Sequence, residues 1–127
     1  MQQEQHHEEL VAGIAEQLKP VMEKSEQAIY VYLDNTHKVC NKKFADLLGY
    51  GSAKEWADTE APLADIVEED QQKAITAYEN AVEKMMASDF EVRVRHIKTG
   101  KVFKTKVIMV PIAYAGHLFA MHFLTKA

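Results

Sequence analysis

Residues 28–50, AIYVYLDNTHKVCNKKFADLLGY, carry two short strands straight into an amphipathic helix that closes on a glycine. Ile29, Val31 and Leu33 alternate with Tyr30 and Tyr32, the period of two of a strand with one face on a core, and aromatic and β-branched side chains suit a pleated surface. Asp34, Asn35 and Thr36 supply turn chemistry, because their short polar side chains bond the local backbone. Residues 38–40 can then return as a second strand. Asn41 has the chemistry of a helix N-cap, a side-chain oxygen for an orphan backbone N–H. Phe44, Leu47 and Leu48 share one helical face, and Gly49 can end the helix in the left-handed conformation.

Upstream of this stretch, Val11, Ile14, Leu18 and Val21 are spaced three, four and three apart, and Leu10 and Met22 widen the stripe. Pro20 lacks the N–H that a helix interior uses, so the expectation is one helix over residues 3–19 and a short second one over 20–26. A stripe of this kind serves either a helix packed on its own sheet or one crossing a second copy. The reading adopted is an N-terminal helical extension, residues 1–25, ahead of a domain over 26–127. Leu10, Val11, Ile14, Leu18, Val21 and Met22 are then expected at a homodimer interface. Glu4, Glu8, Glu9 and Glu16 are expected to face basic strands in either arrangement.

Downstream, Gly51 and Ser52 turn the chain, and Ser52 can cap a short turn around Lys54, Glu55 and Trp56. Residues 58–69, with Pro62 and the apolar set Leu63, Ile66 and Val67, read as a loop plus one helical turn. Glu69 and Asp70 place negative charge at the positive end of a long helix running to about residue 86, whose Ile75, Tyr78, Val82 and Met85 recur on one face. Phe90, Val92 and Val94 then alternate with Glu91, Arg93 and Arg95. Lys98, Thr99 and Gly100 make a hairpin turn into a strand over 101–111, and residues 117–124 form the last strand.

A chain of 127 residues and 14.4 kDa reads as one domain able to bury a core without disulfides or metal. The lone Cys40 allows neither an internal disulfide nor a cysteine metal cluster, which fits a reduced, cytoplasmic setting. The first residues are polar and acidic where a signal peptide would be basic and then apolar, and nothing approaches the roughly 18 apolar residues of a membrane span. A net charge of −4 argues against nucleic acid as the partner. The charge is unevenly placed: residues 55–70 hold seven carboxylates and no basic residue, and residues 93–106 hold six basic residues and no carboxylate. Arg93 and Arg95 share one strand face, as do Lys104 and Lys106 on the next strand. Such a face is either simply solvated or an electrostatic docking strip for an acidic helix or partner.

Two strands, then helices, then three strands with consecutive hairpins define an α+β fold: a five-stranded antiparallel sheet with helices packed on one face, plus the N-terminal amphipathic helix. This order resembles the PAS domain family over residues 22–125. The segment from Asn41 through Phe44 to Leu48, Gly49 and Tyr50 is similar to the family's N-x-x-F-x-x-L-x-G-Y pattern. Glu69 with Asp70, and the Lys98, Thr99, Gly100 turn, are similar to its E-D and K-D-G signals. The resemblance implies a sensory or dimerisation module with a pocket between sheet and helices that in some members holds a small ligand or cofactor. It also implies signalling through a partner chain, through dimerisation or through further parts of a longer protein.

Subfamily chemistry is tested residue by residue. Flavin photosensors of the LOV type carry a reactive cysteine in G-x-N-C-R-F-L-Q, whereas Cys40 directly precedes Asn41 in a strand and reads as an inert core residue. Oxygen-sensing haem domains of the family use a histidine in the long helix, and residues 70–86 contain none. No cofactor is required by these residues; an apolar cavity admits a flavin, and haem has no ligand of that type. Metal is read as none: His6 and His7 are expected to be solvated, and His117 and His122, five apart, point to opposite strand faces so that only one can join His96.

The face assignments put Val31, Phe44, Leu48, Trp56, Ile66, Tyr78, Phe90, Val92, Val94, Val107, Met109, His117 and Phe119 around the pocket. No G-x-S-x-G, H-E-x-x-H or glycine-rich phosphate loop is present, so no catalytic residue is assigned. The function expected is a sensor that binds a small apolar or aromatic ligand, or mediates protein–protein interaction and homodimerisation, in signal transduction. The alternatives are a small cavity-containing α+β enzyme and a flavin or haem redox sensor.

Overall fold

Asn41 ties together the start of the domain. In the computed structural model, which describes Gln2–Ala127 with side chains from His6 onward, its Oδ1 accepts from the backbone N–H of Ile29 and of Phe44, and its Nδ2 donates to the carbonyls of Met22 and Gln27. All four hydrogen-bonding positions of the amide are thus filled. The bonds join the end of α1 (Gln2–Lys24), the start of β1 (Ala28–Asp34) and the cap of α2 (Lys42–Leu48), with β2 (His37–Cys40) lying between. Gly49 ends α2 at φ 87, and a Cβ there would run into the His96 ring. Ser52 caps α3 (Ala53–Ala57) by accepting from Glu55 N–H.

Two 3₁₀ turns, Pro62–Asp65 and Glu68–Asp70, lead into α4 (Gln71–Lys84), and β3 (Ser88–Arg95), β4 (Val102–Tyr114) and β5 (His117–Lys126) complete the chain. The sheet is fully antiparallel with order β2-β1-β5-β4-β3, so the first and last strands pair at its centre. Strand β4 runs through Pro111, beyond the expected end. Its last pairing with β3 is Ser88 with Met109, so Pro111 lies where one side of β4 is a sheet edge and the missing N–H is tolerated.

Helix α1 differs from expectation twice. It continues through Pro20 as one helix; Pro20 and Glu16 are both exposed, so the carbonyl that loses its partner can be hydrated. Its apolar stripe is also occupied within the chain: Leu10, Ile14 and Met22 are buried against Ile29, Val31, Phe119 and Met121, with Val11 and Leu18 packed at the margin. Gly13 permits the close approach, since a Cβ there would collide with the Tyr114 side chain. Of the six residues expected between two copies, only Val21 is mainly exposed, at 49%.

The acidic residues of α1 whose side chains are described do not pair with the basic strands. Among the described residues, Glu8, Glu9 and Glu16 form no ion pair, and Glu4 lies outside the described side chains. Arg93 is instead held from below by Asp70, which accepts from its backbone N–H at 2.7 Å, from Nε at 3.0 Å and from Nη2 at 3.1 Å. The acidic residue at the start of α4 therefore fastens that helix to β3. Arg95, Lys104 and Lys106 remain exposed.

The face of α4 is displaced from the one expected. Ala77 and Ala81 are buried against Met109 and Ala120, with Tyr78 and Phe90 alongside. Small side chains let the helix lie close on the sheet, and the large ones flank the contact. Met85 lies outside it, exposed and left-handed at φ 54, where the helix ends.

Candidate functional site

Sheet and helices enclose a cavity of about 280 Å³, at the lower edge of the roughly 300–1,000 Å³ of small-molecule pockets. Strands β3 and β4 supply Phe90, Val92, Val94, Val107 and Met109. Helices α2 and α3 supply Phe44, Leu48 and Trp56, and the helical side closes with Ile66 and Tyr78. These are ten of the thirteen residues expected at the site.

Val31, Phe119 and His117 are not among them. Val31 and Phe119 are buried beneath α1, and the His117 ring meets His6. The error is one of phase. Both parities of β1 and β5 carry large side chains, and a slip of one position presents the opposite face. The inward residues are Tyr30 and Tyr32 on β1 and His122 and Leu124 on β5.

The corrected phase changes the chemistry of the wall. Tyr30 and His122 are directly paired across β1 and β5, and their rings stack at 3.8 Å with 13° between planes. Tyr30 also meets Phe44 at 4.7 Å and Trp56 at 5.1 Å, and Phe44 stands edge-on to Trp56 at 4.9 Å. Behind Trp56 lies Lys38, its Nζ 5.2 Å from the ring centre. That buried ammonium donates to the carbonyls of Asn35, Ala57 and Thr59, and burial lowers its pKa. Lys38 so closes the α3 segment over β2 and holds the indole in place.

The polar groups of the wall are few. His122 is buried and its pKa is depressed to about 3 by desolvation; its Nδ1 lies 3.1 Å from the Ala120 carbonyl, which can only accept. Nδ1 therefore carries the proton of a neutral ring, and Nε2 is an acceptor. The strands contribute no carboxylate, but Asp65 and Glu79 enter from the helical side. Tyr50 donates to Asp65 at 2.5 Å, and burial raises the pKa of that carboxyl. Tyr78 donates to the Leu33 carbonyl at 2.9 Å and stands edge-on to Tyr32. The Cys40 thiol is pushed up to about 12 by burial, which keeps it protonated. An aromatic box with isolated acceptors suits stacking on a planar or apolar molecule.

Sequence reasoning missed Tyr30, Tyr32, His122, Leu124 and Asp65. The alternation of β1 was visible, but the partnership of Tyr30 with His122 exists only once β1 and β5 are paired. The remaining histidines also fall otherwise than expected. His96 belongs to the β3–β4 turn, where it accepts from Lys98 and Thr99 N–H. His6 is exposed, as expected, but it meets His117, and the half-buried His7 gathers with His37 and Asp34 at the other end of the sheet.

The architecture, a five-stranded antiparallel sheet with helices packed on one face, is that of PAS domains. The chain is similar in structure to a PAS domain of a protein from Colwellia psychrerythraea, with TM-score 0.69, 22% identity, and 90% of this chain and 97% of that one covered. It is similar to the PAS domain of an HTR-like protein from Haloarcula marismortui, with TM-score 0.65, 16% identity and coverage of 97% and 99%. A PAS domain from a two-component sensor histidine kinase matches with TM-score 0.66, 17% identity and coverage of 91% and 99%. At these identities the likeness is one of fold: the chain has the PAS fold. No family model matches the sequence, and no curated relative does. Among the described residues, no helix is long and apolar enough to cross a membrane.

Proposed function

We propose that this chain is a signal-sensing module whose cavity takes a small aromatic or apolar ligand and whose outer sheet face relays occupancy to a partner. The observation that carries the reading is the alternation along β1 and β5. Tyr30, Tyr32 and His122 line the cavity, and their neighbours Ile29, Val31 and Met121 lie beneath α1. A ligand that separates or tightens the Tyr30–His122 stack therefore acts on strands whose other face seats a helix. A binding difference between two seatings of α1 is what a ligand needs in order to shift their populations.

Pairing with a second copy or a signalling protein belongs to the same reading. The α1 stripe is occupied by the sheet, so the docking surface would be the part of the outer face that α1 leaves open. There Ile108 is 48% and Val102 42% exposed, beside Lys104 and Lys106.

The test is a native mass spectrum of freshly purified protein, followed by titration with a set of one- and two-ring aromatics read by the fluorescence of Trp56, the only tryptophan. Retained extra mass, or a saturable response that Val107→Phe abolishes in a folded protein, is expected. No retained mass and no saturable response from any member of the set would overturn the ligand reading. The same spectrum reports the number of subunits.

A further inference from the structure

Four of the six imidazoles meet at one end of the sheet, brought there by three separate segments. His6 and His7 come from the first described turns of α1, Asp34 precedes and His37 follows the β1–β2 turn, and His117 follows the β4–β5 turn. His7, Asp34 and His37 each offer a ligand atom, and these atoms lie within 4.8 Å of one another. His7 Nδ1 is 3.0 Å from one Asp34 oxygen, and His37 Nδ1 is 2.6 Å from the other. The Nε2 atoms of His6 and His117 are 3.1 Å apart.

The present spacings are those of hydrogen bonds, and small side-chain rotations turn the three ligand atoms onto one cation. Ligands about 2.0–2.2 Å from a tetrahedral metal stand about 3.4 Å from one another, with imidazole centres about 5 Å apart. Here the ring centres of His7 and His37 are 5.4 Å apart. Imidazole nitrogens with one carboxylate select borderline transition metals over Ca²⁺ and Mg²⁺, which favour oxygen.

We propose that His7, Asp34 and His37 bind one transition-metal ion of the Zn²⁺ class, with a water in the fourth position and the His6–His117 pair beside them. The ion would clasp the beginning of α1 to the β1–β2 turn, so that metal supply governs how firmly the helix is seated. None of these residues lines the aromatic cavity, and the proposal stands apart from the ligand reading.

Tag-free full-length protein, stripped with a chelator, is titrated with Zn²⁺ against a chromophoric competitor and, separately, with Co²⁺. One Zn²⁺ per chain and the strong visible bands of tetrahedral Co²⁺ are expected. His7→Ala and His37→Ala should each weaken binding by at least about tenfold, a loss seen even for outer-shell partners. His96→Ala, at the far turn, should bind as the parent does. His37 is buried and its variant may be checked for folding by circular dichroism; His7 is on the helix surface, and its variant carries the test if the other fails to fold. No binding by the parent chain, or equal affinity in the parent and His7→Ala, would overturn the proposal.

Discussion

Asn41 combines an N-cap with two donated bonds, and the sequence pattern revealed only the first. Removing the amide costs the cap, about 1 kcal/mol, and leaves the buried Ile29 N–H and the Met22 and Gln27 carbonyls without a partner, at about 1–3 kcal/mol more. Asn41→Ala is therefore expected to lower stability by about 3 kcal/mol in urea unfolding; a loss no larger than an ordinary cap would mean that water replaces the other bonds. His122 makes a prediction in pH. Its folded pKa of about 3 lies below the unfolded value of about 6.5. Above pH 6.5 both states are neutral and the ring contributes nothing to the pH dependence. Between the two values only the unfolded state takes up the proton, so stability falls as pH falls, by about 2 kcal/mol at pH 5. Asp70, held down to about 2 by hydrogen bonds from Arg93, loses its contribution only below its ordinary value near 3.8, a separate window. Comparing urea midpoints at pH 7 and 5, His122→Phe should remove most of the slope, and an unchanged slope would assign it to other groups.

At the scale of elements, the amphipathic stripe of α1 was legible from spacing alone, but its partner was not. The same stripe would suit a second copy or the chain's own sheet, and periodicity carries no information about which apolar surface lies opposite. The sheet supplies that surface because β1 and β5 are apolar on their outer faces as well. Ile14, 3% exposed, is at the centre of this contact. Ile14→Ala should destabilise the domain itself by about 3 kcal/mol, in the range of large-to-small core changes, and thermal unfolding at two protein concentrations separates this from a dimer effect: a loss that vanishes on dilution would return the stripe to an interface between copies. In α4 the large apolar residues drew attention away from Ala77 and Ala81, which make the contact because they are small. Propensity rules also overstated Pro20, whose freed carbonyl is at the surface.

At the scale of the molecule, local chemistry determined much of this protein: the element order, the caps at Asn41 and Ser52, the left-handed Gly49, the hairpins, and hence the PAS fold. Ten of the thirteen residues expected at the cavity lie on its wall: five because β3 and β4 alternate apolar with charged residues and so show which face is inward, and five because the apolar faces of the helical segments can only turn toward that sheet. Tertiary structure alone decided the rest. With α1 covering one face and α2, α3 and α4 the other, β1 and β5 are buried on both sides, so alternation there does not reveal its phase. Strand pairing and the seating of α1 were needed to stack Tyr30 on His122, to place Val31 and Phe119 under α1, and to gather His7 and His37 around Asp34 with His6 against His117. Contacts between residues far apart in the chain depend on register and on the packing of layers, and neither is written in any local pattern.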